Sequence, residues 1–306
     1  MNKSKVLVLL RAARPNQWVK NLVVFTAVIF SGKLFEVELT GRAFYAFFVF
    51  CLLSSTSYIL NDIIDYQYDK KHPVKRFRPI ASGELTVAEA TFVVFLLTLV
   101  SLIASLFFSV SFFLLSLTFI LLHFFYSLYL KKYPVVDIFT ISFSFMIRTF
   151  GGEVVTGYHI PIWLLLTIFF ISLFMATVKR HAELVAHGAE TRSSLVSYKE
   201  HLLDFLTNSF STATIISYSF YTYFEKLPST QTIFTDFFSR ILPGFEARKL
   251  LMVTIPLVVY GIARYAQLLY EREQGEHPEK IITTDKPLVM TIVLWAFIII
   301  LLTYVL

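Results

Sequence analysis

The stretch NDIIDYQYD, residues 61–69, decides how this sequence is interpreted. It follows a long apolar segment, and its carboxylates Asp62, Asp65 and Asp69 stand three and four residues apart. In a helix these spacings place side chains on one face. Carboxylates that close repel one another, and removing them from water beside a bilayer is costly. A divalent cation would offset both effects, and Mg²⁺ commonly binds one or two carboxylates together with phosphate oxygens.

A cationic loop follows the acidic stretch directly. Its basic side chains are Lys70, Lys71, His72, Lys75, Arg76 and Arg78. Arg78 offers a planar fork for phosphate oxygens, and Lys75 offers a mobile point charge. A bare run of charge is usually a solvated loop, but three helically spaced aspartates before it weaken that explanation. The two stretches together predict a Mg²⁺-diphosphate site at a membrane surface.

The composition indicates an integral membrane protein. Of the 306 residues, 56% are apolar and only 16% are charged, whereas soluble domains carry about 25% charged residues. A membrane-spanning helix needs about 20 mostly apolar residues. Nine candidates lie near 21–31, 42–60, 87–108, 111–130, 136–154, 161–178, 205–224, 250–269 and 287–305. The sequence therefore predicts an all-α polytopic membrane protein with nine transmembrane helices around a central cavity.

Lysine and arginine are distributed unevenly among the connections between these segments. An N-terminus on the inside places most of them on inner loops, as the positive-inside rule requires. We therefore expect a multi-pass plasma-membrane protein with a cytoplasmic N-terminus, a C-terminus outside, and residues 1–20 as a cytoplasmic interfacial helix. The charged loops 61–86 and 179–204 both fall inside as cytoplasmic active-site loops. Their placement predicts two helical halves that face one cavity within a single domain, residues 1–306.

The first predicted span begins with a polar group. Gln17 and Asn21 are four residues apart, with Lys20 beside them, so their side chains can face a cavity. Trp18 gives an equally good alternative, because tryptophan anchors helices at membrane interfaces while basic side chains extend to the headgroups. Sequence alone leaves both explanations open for this segment.

The fifth predicted span carries charge into the bilayer. Tyr126 and Lys131 precede it, and Asp137 and Arg148 within it are separated by about three helical turns, so they share a face. An arginine inside a membrane is costly unless it is paired or faces a polar cavity. Pairing with a neighbouring helix and lining of a cavity are therefore equal alternatives for Arg148.

Two more polar groups lie at span ends in the second half. Lys179 and Arg180 precede Glu183 at the end of span six, where they form either a surface ion pair or a second cationic pocket. Arg264 closes span eight, and Asp285 opens span nine, where it is expected to cap the helix.

Residues 61–83 and the nine-span plan resemble the UbiA superfamily of intramembrane prenyltransferases, which are all-helical enzymes whose Asp-rich loops hold Mg²⁺-diphosphate. The resemblance covers nearly the whole chain, but the superfamily's usual second pair of aspartates is replaced by Lys179-Arg180-x-x-Glu183. Five motifs instead resemble the decaprenyl-phosphate phosphoribosyltransferase family. They are 14–21, 72–83, 126–131, 179–183, and 264–265 with 285–287.

That resemblance implies a Mg²⁺-dependent pentosyltransferase. It would transfer 5-phosphoribose from phosphoribosyl diphosphate (PRPP) to a decaprenyl-type polyprenyl phosphate, releasing diphosphate and forming polyprenyl-phosphoryl-5-phosphoribose, a precursor for cell-wall biogenesis in the family's best-known setting. The implied Mg²⁺ ligands are Asp62, Asp65, Asp69 and Asn61. The implied catalytic residues are these three aspartates with Arg78 and Lys131. The implied substrate-binding residues are Gln17, Lys20, Asn21, Asn61, Lys75, Arg78, Tyr126, Lys131, Arg148, Lys179, Arg180, Tyr198 and Arg264.

Two rival functions follow from the same residues. A UbiA-type prenyltransferase would move a prenyl group from its diphosphate to an aromatic or lipid acceptor, although the missing second aspartate pair argues against it. A transporter or lipid carrier would also place charge within the membrane, although the charges here concentrate on one side. The expected partners are PRPP, a polyprenyl phosphate lipid and the membrane, with no nucleic acid. A homo-oligomer is left open.

Overall fold

A computed structural model describes residues 3–187, 198, 200–225, 247–271 and 284–304. The α-helices in these ranges are α1 Lys3–Ala13, α2 Thr26–Phe30, α3 Val37–Ile64, α4 Tyr66–Asp69, α5 Val87–Phe108, α6 Val110–Leu128, α7 Val136–Thr156, α8 Ile162–His187, α9 Glu200–Phe224, α10 Ile255–Glu271 and α11 Lys286–Tyr304. Four 3₁₀ helices, Pro15–Phe25, Lys75–Phe77, Leu130–Lys132 and Ala247–Thr254, complete the regular structure, and no strand occurs in the described ranges. The predicted all-α class is confirmed.

Seven helices in the described ranges are long and apolar enough to cross a bilayer. They begin at Val37, Val87, Val110, Val136, Ile162, Leu250 and Lys286. The predicted count of nine is not confirmed, because the first and seventh expected spans are not among these seven helices. Residues 21–31 are divided between the 3₁₀ helix and α2, and α9 is continuous but rich in serine, threonine and tyrosine. These seven helices nevertheless indicate a multi-pass membrane protein.

The predicted N-terminal helix ends earlier than expected. It stops at Ala13, and Arg14 adopts a left-handed conformation with φ 51° and ψ 62° before the 3₁₀ helix begins at Pro15. A proline disfavours the right-handed helical conformation in the residue that precedes it, which explains the break. We call Pro15–Phe25 the 3₁₀ segment. Its length is unusual, since 3₁₀ runs beyond three or four residues are uncommon.

The chain divides into two compact units, and unit 1 comprises Met1–Val28 and Glu36–Tyr158. Its largest apolar cluster joins the 3₁₀ segment, α3, α6 and α7 around Phe50, Phe112 and Phe119, whose rings meet edge to face. Helix α1 packs on α3 through Ala12 and Ile59. Burial of these aromatic side chains holds the 3₁₀ segment, α3, α6 and α7 together.

Unit 2 comprises Ile29–Phe35 and His159–Leu306. Helices α8, α10 and α11 meet in an apolar cluster that includes Phe174, Tyr265 and Leu288. The Trp295 indole donates to the Tyr218 hydroxyl at 2.7 Å, so α11 is also tied to α9 by a polar contact. Of the predicted loop 179–204, residues 188–197 and 199 lie outside the described residues.

Candidate active site

The three aspartates of the opening stretch lie on both sides of a helix end. Helix α3 ends at Ile64, Asp65 is its C-cap, and α4 carries Asp69. The chain therefore does not continue as one straight helix through the motif, and the carboxylates are not simply aligned along one face. Each of them meets a different set of cations.

Asp62 is the most enclosed of the three, with 2% of its surface exposed. Arg14 Nη2 donates to Asp62 Oδ1 at 2.6 Å and to Oδ2 at 2.8 Å, and Arg78 Nη1 donates to Oδ1 at 3.0 Å. Charge-assisted hydrogen bonds of this kind are the strong ones. They compensate the cost of burying the carboxylate, and they bring a side chain from the N-terminal segment to the acidic motif.

Asp69 is buried beside the same guanidinium. Arg78 Nη1 donates to Asp69 Oδ2 at 2.7 Å, so one arginine nitrogen bridges Asp62 and Asp69. Burial raises the pKa of the Asp69 carboxyl above its usual value, while the charge and hydrogen bond of Arg78 act in the opposite direction. The negative charge of Asp62 raises the same pKa, and the positive charge of Lys75 lowers it.

Asp65 belongs to a second contact set with Asn61 and Lys131. The Lys131 Nζ lies 2.6 Å from Asp65 Oδ1 and 3.0 Å from Asn61 Oδ1, and the Asn61 amide donates to Asp65 Oδ2 at 3.0 Å. Lys131 reaches this position from the short 3₁₀ helix after α6. The predicted association of Lys131 with the acidic motif therefore appears in the structure, across 66 residues of sequence.

No three carboxylate, histidine or cysteine side chains of the described ranges converge as ligands of one metal ion. The predicted set of Asp62, Asp65 and Asp69 is instead divided in two by its cations, because Asp62 and Asp69 share Arg78 whereas Asp65 pairs with Lys131. The donor chemistry still suits Mg²⁺, since the cluster offers only oxygen atoms and this ion needs one or two carboxylates from a protein. Asp65, with Asn61 beside it, is the most open of the three.

Asn21 of the 3₁₀ segment and Arg148 of α7 form a polar core inside unit 1. Arg148 is 4% exposed, and its Nε donates to Asn21 Oδ1 at 2.7 Å while Nη1 donates to Ser144 Oγ at 3.0 Å. Ser54 of α3 donates to the same Asn21 oxygen at 3.2 Å. Of the two alternatives left open for Arg148, pairing with a neighbouring element is therefore observed.

Arg148 and Asp137, which share a face of α7, contact different groups. Asp137 is fully buried at the start of α7, where its Oδ1 accepts the backbone N–H of Ile138 at 2.9 Å. The guanidinium of Arg148 instead lies over the rings of Phe119 and Phe145, at 4.6 and 5.3 Å from their centroids. Aromatic faces stabilise a cation in a desolvated position.

Three more predicted residues of unit 1 lie on the 3₁₀ segment and on α6, namely Gln17, Lys20 and Tyr126. The Tyr58 hydroxyl donates to Gln17 Oε1 at 3.4 Å, and the Arg14 guanidinium lies 5.2 Å from the Tyr58 ring centroid. The Tyr126 ring lies 6.4 Å from that of His123, and Lys20 is half-buried.

The predicted residues of unit 2 form ion pairs of their own. Arg180 is buried and its Nη1 lies 2.5 Å from Glu183 Oε2, with Lys179 4.0 Å from the other oxygen. Arg264 donates to both carboxylate oxygens of Asp285, at 3.2 and 2.8 Å. Asp285 also caps α11, as expected, by accepting the backbone N–H of Leu288. Tyr198 is buried in this unit.

Arg14 is the main residue that the sequence analysis missed. Its position in the motif 14–21 suggested only a basic side chain that extends to the lipid headgroups, yet it makes the shortest contact to Asp62. The signal in the sequence is slight: an arginine at the end of a basic helix, directly before a proline. Only the docking of α1 brings it to a carboxylate 48 residues away.

Comparison with known proteins gives one family and consistent relatives. The UbiA prenyltransferase family model matches residues 22–281. The decaprenyl-phosphate phosphoribosyltransferase of Corynebacterium glutamicum is 33% identical over 304 residues, covering 97% of this chain and 87% of the relative. The enzyme of the same name from Mycolicibacterium smegmatis is 33% identical, with 96% and 91% covered.

Solved structures give the same fold. A UbiA homolog from Archaeoglobus fulgidus bound to GPP and Mg²⁺ matches with a TM-score of 0.70 at 18% identity, covering 97% of this chain and 99% of that one. The same archaeal protein bound to Cd²⁺ matches with a TM-score of 0.66. At this identity the likeness concerns the fold alone.

Proposed function

This chain belongs to the UbiA prenyltransferase family, and from that premise we propose that it transfers 5-phosphoribose from PRPP to a decaprenyl-type polyprenyl phosphate. Diphosphate is released, and polyprenyl-phosphoryl-5-phosphoribose is formed. The relatives named decaprenyl-phosphate phosphoribosyltransferase support this activity, because they match along nearly the whole chain at about one-third identity. The proposed cofactor is Mg²⁺.

The observation that carries the proposal is the cluster of oxygen ligands and basic side chains around the acidic motif. Asp62 and Asp65 are each within 2.6 Å of a cationic nitrogen, from Arg14 and Lys131 respectively. A magnesium diphosphate combines a hard cation with an anion, so its binding requires both kinds of group at one place. A lipid carrier has no comparable need for them.

The residues that would hold Mg²⁺ are Asp65 and Asp62, with the Asn61 amide oxygen and Asp69 beside them. When bound, the ion would neutralise charge on the diphosphate as a Lewis acid. Arg78 and Lys131 would hold the leaving diphosphate by fixed positive charge, which is the usual main source of stabilisation for a developing anion. Lys75 would add a further charge near Asp69.

The chemistry needs no strong general base. A phosphate oxygen of the lipid forms the new bond to C1 of the ribose while the bond from C1 to the diphosphate oxygen breaks, and its electrons leave with the diphosphate. The lipid phosphate is already anionic at neutral pH. Displacement in line would invert C1 through an oxocarbenium-like state. Lys179, Arg180 and Arg264, with Tyr198, are proposed for the 5-phosphate or the lipid phosphate, and Gln17, Lys20, Asn21, Tyr126 and Arg148 for the remaining substrate contacts.

The chain is further proposed to act as a single domain with its N-terminus and active-site loops on the cytoplasmic face and its C-terminus outside. The uneven distribution of lysine and arginine supports that orientation. The proposed partners are PRPP and a polyprenyl phosphate within the membrane, and a homo-oligomer is compatible with the same function.

The test is an assay in detergent micelles with radiolabelled PRPP, a polyprenyl phosphate and Mg²⁺, in which label is counted in the organic phase. We expect lipid-linked label that disappears when EDTA removes the metal. No transfer from PRPP, together with condensation of a prenyl diphosphate and an aromatic acceptor, would establish prenyl transfer instead. Failure of both reactions would favour a carrier.

Replacement of Lys131 by methionine should lower kcat/KM about 10²-fold, since a single preorganised donor to a developing anion has this magnitude. The fold should persist, because Asp65 is partly exposed and retains the Asn61 hydrogen bond. Lys131→Arg is the matched control and should recover part of the rate by restoring the charge. Equal activity of Lys131→Met and the wild type would remove Lys131 from the diphosphate site.

A further inference from the structure

Arg14 is held in a conformation that its sequence does not favour. Its φ of 51° lies in the left-handed region, and it precedes Pro15. Residues other than glycine seldom adopt this conformation, and they keep it only where the surrounding structure fixes them. Such strain occurs often at ligand sites. The contacts of Arg14 therefore indicate which ligand site the strained backbone supports.

The side chain of Arg14 contacts Asp62 of the acidic motif and Tyr58, one turn before it on α3. Arg14 donates to both oxygens of Asp62, and its guanidinium lies over the ring of Tyr58. Helix α1, which immediately precedes it, is fastened by ion pairs of Lys5 with Glu89 and of Arg11 with Glu84. The backbone is thus anchored on one side of Arg14, and the side chain is directed to the carboxylate.

Arg14 and Arg78 are not equivalent partners of Asp62. The Arg78 guanidinium is fixed by two carboxylates, since one of its nitrogens contacts Asp62 and Asp69 together. Arg14 instead pairs with one carboxylate, that of Asp62. The exposed fractions of the two arginine side chains are similar, 28% for Arg14 and 25% for Arg78, so the two arginines differ in the number of carboxylates that each contacts.

A metal ion on Asp62 would compete with this arrangement. Mg²⁺ requires oxygen ligands at about 2.0–2.1 Å in near-octahedral geometry, and a guanidinium across both carboxylate oxygens repels a second cation there. The competition ends if an anion arrives with the metal, because the displaced guanidinium then has phosphate oxygens to bind, and arginine matches them bidentately.

We propose that Arg14 is an exchange ligand. Its guanidinium pairs with Asp62, and on binding of a magnesium diphosphate it would leave this carboxylate, which would then hold the metal, and turn to the diphosphate oxygens. Arg78 stays between Asp62 and Asp69 throughout. The inference rests on the proposed function, since the diphosphate is that of PRPP. Its consequence is that metal and diphosphate bind cooperatively, each being weak alone.

The test is a binding measurement on the full-length protein in detergent, by titration calorimetry with Mg²⁺ alone, with inorganic diphosphate alone, and with both. For the wild type we expect weak binding of either ligand alone and strong binding of the pair. Arg14→Gln should bind Mg²⁺ alone about tenfold more tightly and should bind diphosphate in the presence of Mg²⁺ about tenfold more weakly, which is the effect of one charge-assisted hydrogen bond.

The matched control is Arg42→Gln, which removes an arginine whose exposed ion pair with Glu38 lies outside the cluster. It should leave both affinities unchanged. Arg14→Lys keeps the charge without the fork and should lie between wild type and Arg14→Gln, so it carries the test if the glutamine variant fails to fold. Unchanged or weaker Mg²⁺ binding in both Arg14 variants would overturn the exchange. Tighter Mg²⁺ binding by the Arg14 variants, together with no transfer from PRPP by the wild type, would uphold the exchange and refute the proposed substrate.

Discussion

Asp62→Asn should reduce transfer of phosphoribose at least about 10³-fold, the largest loss of activity that we expect from a single substitution. Asparagine keeps the size and the polar character of the side chain but removes its charge. Asp62 is almost fully buried and compensates the guanidinium groups of Arg14 and Arg78. The substitution therefore affects the metal ligand and the position of two basic side chains together.

The measurement is kcat/KM for PRPP at several Mg²⁺ concentrations, with thermal unfolding of the purified protein followed in parallel. Glu38→Gln is the control, because it makes the same change of charge at an exposed ion pair with Arg42 outside the cluster. Surface pairs contribute about 0–1 kcal/mol, so this variant should be fully active and equally stable. An Asp62→Asn protein with wild-type kcat/KM would exclude Asp62 from the reaction.

Gly152→Ala should give the largest loss of stability. A Cβ atom at this position would lie 1.9 Å from the Val24 carbonyl oxygen and 2.9 Å from its carbonyl carbon. Both are backbone atoms, so no change of rotamer can relieve the contact, and α7 must separate from the 3₁₀ segment. We expect a loss of about 3 kcal/mol, the upper part of the range for overpacked cores.

The same displacement should lower activity in the protein that remains folded, because the 3₁₀ segment carries Asn21 to Arg148. The midpoint of thermal unfolding in detergent and the folded fraction in size-exclusion chromatography measure the effect. Gly41→Ala is the matched control within helix α3, since its added Cβ would meet nothing within 4 Å. That variant should gain about 0.5–1 kcal/mol from the reduced flexibility of the unfolded chain. Equal midpoints for both variants would show that the close approach at Gly152 is not required.

Local sequence was a good guide where neighbours along the chain determine the outcome. The long apolar segments predicted helices, and seven of them are long and apolar enough to cross a bilayer. The cap at Asp285 was predicted because a cap involves residues only three apart. The first segment was predicted less well, since the break at Arg14 and the 3₁₀ geometry after Pro15 depend on packing against α3 and α7 as well as on the proline.

The acidic motif shows the same contrast between what local sequence predicts and what tertiary packing determines. Its spacing indicated a cluster of carboxylates, and the basic residues after it indicated a phosphate ligand. The spacing also implied that Asp62, Asp65 and Asp69 share one face, but α3 ends within the motif, and Asp65 pairs with Lys131 while Asp62 and Asp69 share Arg78. Helical periodicity predicts which residues of one helix share a face. It does not predict which charged residues of other elements contact that face.

By itself, then, the sequence determined an all-helical membrane protein of the UbiA family with a cluster of oxygen donors at the end of an apolar helix. Tertiary structure alone decided the partners of that cluster: Arg14 with Asp62, Lys131 with Asp65, and Arg148 with Asn21, which are 48, 66 and 127 residues apart. The physical reason is that side-chain periodicity fixes which residues share a helix face, whereas the contact between two faces depends on how the helices pack.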